Sequence, residues 1–123
     1  MRATVAAFLL VPFIFLSGAK WAVATDTYTI RGSGTQSCGT WLEDRKVYNS
    51  LQNAMDTTWV LGFLTGMNAM DMMTRRSGGG KMGVTTDVDG LFAWVDNYCR
   101  ANPLKTISDA ALALATELVR TNK

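Results

Sequence analysis

Two cysteines, Cys38 and Cys99, constrain this chain more than any other feature. They are its only cysteines, and both lie downstream of an N-terminal segment that reads as an export signal. Met1-Arg2 supplies a positive start, Val5 to Leu16 (VAAFLLVPFIFL) is apolar and uncharged, and Ala22-Val23-Ala24 is an A-x-A cleavage pattern. Residues 1–24 are therefore expected to be removed, leaving a periplasmic chain that begins at Thr25. The apolar run is broken by Thr4, Pro12 and Ser17 and ends at Lys20, short of the roughly 20 apolar residues that span a bilayer comfortably. In an oxidising compartment an isolated cysteine pair bonds. The bond would close a loop of roughly 60 residues, for which the chain-entropy relation gives ~4 kcal/mol. No Cys-x-x-Cys is present, and only Arg100 lies beside either thiol, so a structural disulfide is expected rather than a redox pair.

Cleavage changes the charge balance. The precursor carries 12 Lys plus Arg against 10 Asp plus Glu, and losing Arg2 and Lys20 makes the mature chain neutral. A neutral domain lacks the basic face that nucleic-acid binding requires. The chain contains no His, which removes the commonest general base, the Ser-His and Cys-His arrangements and the usual zinc sites.

The periodicity after cleavage is helical. Residues 25–36 are polar and Gly-containing and read as an extended lead-in to a single helical domain, 37–123. A short helix is expected after Thr40, with Thr40 and Glu43 as a capping box. Ser50 to about Thr74 reads as the main helix, its core face being Leu51, Met55, Trp59, Phe63, Met67 and Met70. Gly62-x-x-x-Gly66 beside that face implies close approach of another helix, since each Gly costs about 1 kcal/mol against Ala. Ser77 to Gly83 (SGGGKMG) is expected to be a flexible loop, and it lacks the P-loop spacing. Asp87 to Arg100 forms the next helix, with Val88, Leu91, Phe92, Val95, Tyr98 and Cys99 as its stripe and Pro103 as its stop. Thr106 to about Thr121 forms the last, opened by a Thr106/Asp109 capping box and carrying Ile107, Ala110, Ala111, Leu114, Leu118 and Val119 inward. The fold class is thus all-α: a small disulfide-stapled bundle of three main helices plus a short N-terminal one.

Residues with chemistry are few. Asp87 and Asp89 are two apart and point to different sides of a helix, and nothing selects a carboxylate pair for glycoside cleavage. No enzymatic activity and no cofactor are expected, a small enzyme with a carboxylate site being the alternative. Met67, Met70 and Met73 are soft ligands that would suit Cu(I), but at helical spacing Met is core filler. Trp94 lies off the Leu91/Val95 line and is the candidate exposed anchor, with core packing as its rival reading. Arg75, Arg76 and Lys81 are candidate partner contacts, the simpler account of the two arginines being cations at a helix C-terminus.

Two segments together carry a resemblance. Cys38-x-x-Trp41-Leu42 with the later Trp59-Val60-Leu61-Gly62-Phe63 is the first, and Tyr98-Cys99-Arg100-Ala101-Asn102-Pro103 followed by Thr106-Ile107-Ser108-Asp109 is the second. The chain resembles the HdeA-like acid-stress chaperones, small periplasmic all-α proteins with one disulfide. It is also similar to the Rap/Tai type of periplasmic immunity protein, which blocks a peptidoglycan-cutting toxin. Only Cys38 and Cys99 map from those families, which carry no catalytic residues to transfer. The Met-rich long helix and the Gly loop depart from the chaperone pattern. The resemblance implies function by protein–protein contact, the partner being a toxin, an unfolded client or a second copy, with no nucleic acid and no membrane after cleavage.

Overall fold

Four helices account for the architecture: α1 (Cys38–Asp44), α2 (Leu51–Thr74), α3 (Val88–Ala101) and α4 (Ile107–Thr121), preceded by a 3-10 turn at Gly32–Thr35. The computed structural model describes residues 28–75 and 78–121, and no strand occurs among them. The expected signal segment 1–24, the first residues of the lead-in and Arg76 lie outside the described residues.

Cys38 and Cys99 are bonded, with Cα atoms 4.8 Å apart, and both are fully buried. The bond joins the first residue of α1 to the last turn of α3. Around it sit Trp41, Val60, Leu64, Leu91, Phe92, Val95, Ile107, Ala110, Leu114, Ala115 and Leu118, the hydrophobic core. The alanines of α4 lie inward, Ala110, Ala111 and Ala115 all being buried, which lets its backbone approach its neighbours. Val88 and Val119, expected inward, are nearly half exposed at the edges of their stripes.

Helix starts follow local capping wherever the cap is intrinsic. Ser50 caps α2, its Oγ accepting from the Asn53 N–H at 3.1 Å. Asp87 caps α3 through Gly90 N–H. The Thr106/Asp109 box forms in both directions, Thr106 N–H donating to Asp109 at 2.9 Å and Asp109 N–H to Thr106 Oγ1 at 3.2 Å. The expected start of α1 after Thr40 is wrong. Ser37 is the cap, taking the Thr40 N–H at 3.1 Å, and Glu43 turns instead to Lys46. The reason is tertiary: Cys38 N–H donates to Lys105 O at 2.7 Å and Gly39 N–H to Pro103 O at 3.2 Å. The α3–α4 connection thus satisfies N–H groups that an isolated helix start would leave bare. With Ile107 N–H donating to Gln36 O, these contacts form a one-residue antiparallel bridge, Ser37 to Thr106.

The core face of α2 also differs from expectation. Asn53, Asp56, Val60 and Leu64 are buried, with Trp59 and Met67 partly so and packed against the core as expected, while Leu51 is 77% exposed and Met55 52%. The helix is turned by one residue, about 100°, from the face its bulkiest apolar residues mark. Asp56 and Asp71 are the only charges in α2, so hydrophobicity hardly distinguishes its sides. Among the described residues no helix closes on Gly62 and Gly66: a Cβ built at either meets nothing within 4 Å.

Candidate functional site

What remains on the outside of α2 is an unusual surface for a small domain. Leu51, Met55, Met70, Met72 and Met73 are exposed, and Gly62 and Gly66 leave a low saddle between the two ends. Asp56 points inward and Asp71 is engaged by Arg75 and the Gly80 N–H. The face therefore presents apolar and small side chains with almost no charge, the composition that marks interaction surfaces rather than ordinary solvated helix.

Trp59 organises the middle of this face. Its indole stacks on Phe63, ring centres 5.4 Å apart, and its Nε1–H donates to Arg31 O at 2.7 Å. The lead-in is built to receive it. A Cβ at Gly34 would lie 2.1 Å from Trp59 Cζ2, so only Gly fits there, and Gly32 adopts a left-handed φ of 71°. Gly32 and Gly34, two glycines of the lead-in, are thus the floor for an indole. Two open grooves flank the ring. One, of about 440 Å³, runs between the 3-10 turn and Ala54, Met55 and Thr58. The other, of about 370 Å³, lies between Tyr28–Arg31, Gly62 and Phe63.

The C-terminal end of α2 is held by a separate clamp. Asn68 exchanges hydrogen bonds with Met82, accepting from its N–H at 2.8 Å and donating to its O at 3.0 Å. Asp71 accepts from Gly80 N–H at 3.0 Å and pairs with Arg75, and these bonds hold its carboxyl below the usual aspartate value. Gly79 packs so tightly on Asp71 O that a Cβ would approach to 2.5 Å. The described part of the loop, 78–83, is therefore fastened to α2 rather than free as expected.

The residues singled out in the sequence do not form one site. Arg75 and Lys81 come together with Asp71, Gly78, Met82 and Val119 around a cleft of about 90 Å³; Arg76 lies outside the described residues. Trp94 is half-buried on α3, stacked on Tyr98 at 5.7 Å and packed against the core, not an isolated exposed anchor. Met67 lies in a shallow groove against Ala115, Thr116 and Val119, whereas Met70 and Met73 are exposed. Among the described residues no group of three His, Cys, Asp or Glu side chains has metal-binding geometry.

Sequence reasoning missed a polar network on the inner side. Asp96 accepts from Trp41 Nε1–H at 2.7 Å and from Arg45 at 3.2 Å. The Arg45 guanidinium also lies 5.3 Å from the Phe92 ring centre and 5.7 Å from that of Trp41. Beside it, Asp44 and Asp56 bury carboxylate oxygens that receive no hydrogen bond. Sequence alone holds no signal for the Trp41–Asp96, Arg45–Asp96 and Arg45–Phe92 pairings, because each joins residues far apart in the chain.

Comparison with family models, curated proteins and solved structures finds no match to this chain.

Proposed function

We propose that this is an exported, non-enzymatic helical protein that acts by binding another protein through the outer face of α2. The observation that carries the reading is the uncharged saddle from Leu51 to Met73, with Trp59 and its two grooves at its centre. Burying such a surface gains roughly 25 cal/mol per Å² of apolar area, with Arg31 at one groove as a charge beside it. Trp is the residue type most often found at the energetic centre of interfaces. The disulfide fits an oxidising compartment, consistent with the export signal read in residues 1–24. No helix among the described residues is long and apolar enough to cross a membrane.

Within that class, a rigid face that stands ready at neutral pH suits an inhibitor of the Rap/Tai immunity kind, whose partner would be a toxin. Capture of a partner by the immobilised mature protein tests it. Gly62→Arg, which puts a cation on the saddle where space is open, is expected to abolish capture. Leu104→Asp, on a residue exposed in the α3–α4 connection, is expected to leave capture intact. Equal capture by wild type and Gly62→Arg would remove the face from consideration.

The HdeA-like chaperone reading is favoured by a different observation. Asp71 fastens the Gly loop and Asp109 caps α4, and hydrogen bonds hold both carboxyls below the ordinary value of 3.8. Both contacts are present above that value and are lost as pH falls through the lowered one. Acid would thus weaken the Asp71–loop contact and the α4 cap together, the Asn68–Met82 pair remaining in place. Hydrophobic-dye binding and suppression of client aggregation near pH 2 would support this reading; a protein that stays folded and dye-silent there would exclude it.

A further inference from the structure

We propose that Asp44 and Asp56 form a proton-binding site, in which one proton bridges the two carboxyls and locks the end of α1 to the second turn of α2. Asp56 is 1% exposed, and its Oδ2 has no hydrogen-bond donor. Asp44 Oδ2 is likewise sealed from solvent and without a donor. Asp56 acts on the Asp44 carboxyl both through a side-chain hydrogen bond and as a like charge. Two ionised carboxylates cannot share such a place, because both are acceptors only and both are negative. A single proton resolves both problems by making one of them a donor.

The surroundings leave the proton as the occupant. Asp56 Oδ1 takes its hydrogen bond from Gln52 Nε2 at 2.8 Å, which orients the carboxyl and leaves Oδ2 for Asp44. Glu43, the other acid near Asp44, adds negative potential while pairing with Lys46. Arg45 is turned to Asp96 and Asn53. On the other packed elements, Arg100 donates to Asn97 and Asp109 is held by Thr106, while Arg31 is exposed beside the 3-10 turn. No ion pair involving Asp44 or Asp56 occurs among the described residues. Burial first, then Asp56, raises the Asp44 carboxyl above its ordinary value of 3.8.

The sign is opposite to that of Asp71 and Asp109. A carboxyl raised on folding contributes stability that is complete below the unfolded value and is lost as pH rises through the folded one. Acidification therefore tightens the α1–α2 junction while it loosens the Gly loop and the α4 cap. Asp56 and the exposed Leu51 and Met55 occupy the same two turns of α2, so the proton governs how firmly that end of the outer face is held. The site itself does not depend on what binds that face.

Carboxyl carbon NMR of the wild-type mature protein across the acid range is the direct test. The Asp44 carboxyl, as the one that carries the proton, is expected to titrate above the ordinary aspartate range. Asp44→Asn supplies a permanent donor and is expected to raise Tm near neutral pH, with the gain vanishing at acidic pH. Asp56→Asn repeats the test from the other side. An ordinary midpoint for Asp44, unchanged in Asp56→Asn, would overturn the proposal. So would an Asp44→Asn effect that does not change with pH. Thermal stabilisation by millimolar Ca²⁺ at neutral pH, abolished in Asp56→Asn, would also overturn it in favour of a bound cation.

Discussion

Gly62 and Gly66 separate two accounts of α2 with opposite predicted signs. If a helix of the same chain packed on them, each methyl group of Gly62→Ala and Gly66→Ala would intrude on a contact and destabilise the fold. In the structure a Cβ at either position meets nothing within 4 Å. What remains is helix propensity, which favours Ala over Gly by about 1 kcal/mol at an interior helical position. Helix propensity sums residue by residue, so the double variant is expected to gain about 2 kcal/mol. For a domain of this size that is a rise of roughly 10 °C in Tm. Urea denaturation of the mature protein measures the change, with thermal melting at two protein concentrations as a check. A double variant that is less stable than wild type would refute the open saddle. Concentration-dependent melting of the wild type alone would instead show that a second copy covers the face in solution.

Other substitutions probe the parts around it. Gly34→Ala drives a Cβ into the Trp59 ring and breaks the Trp59–Arg31 hydrogen bond; a loss of about 1–3 kcal/mol is expected, readable as a red shift in Trp fluorescence on lead-in detachment. Breaking the disulfide, by reduction or by replacing both cysteines with Ser, removes a cross-link over a separation of 61 residues and is expected to cost ~4 kcal/mol by equilibrium unfolding. Asp109→Asn weakens the α4 box by about 1 kcal/mol at neutral pH and is expected to flatten the stability loss below pH 4, because Asp109 is one of the groups whose protonation drives it. An unchanged acid limb in that variant would show that other carboxylates carry the acid response.

How much of this was legible in the sequence depended on whether the cause was local. The limits of α3 and α4, the Thr106/Asp109 box and the cysteine pair were readable, since caps act within a turn and two cysteines allow one pairing. The start of α1 was not, because carbonyls of Pro103 and Lys105, more than sixty residues away, satisfy its first N–H groups. The orientation of α2 was misread for a compositional reason: Leu51, Met55 and Met70 are more apolar than Asn53 and Asp56, yet the latter are buried. Asp56 is tolerated inside only because Gln52 and Asp44 meet it there, and no spacing rule connects Asp44 to Asp56 across the Arg45–Ser50 turn. The saddle was visible as Gly62-x-x-x-Gly66, but a glycine pair marks close approach equally well within a fold and between molecules. Only the empty space above it distinguishes the two.

The outer face of α2 is the surface proposed to bind another protein. The most direct measurement is the stability and partner capture of Gly62→Arg on the same preparation, beside wild type and Leu104→Asp. The expected result for Gly62→Arg is an unfolding midpoint at or above that of wild type, because the position is open and Arg favours a helix interior over Gly, together with complete loss of the captured partner. A Gly62→Arg protein that is folded and still captures its partner as wild type does would contradict it.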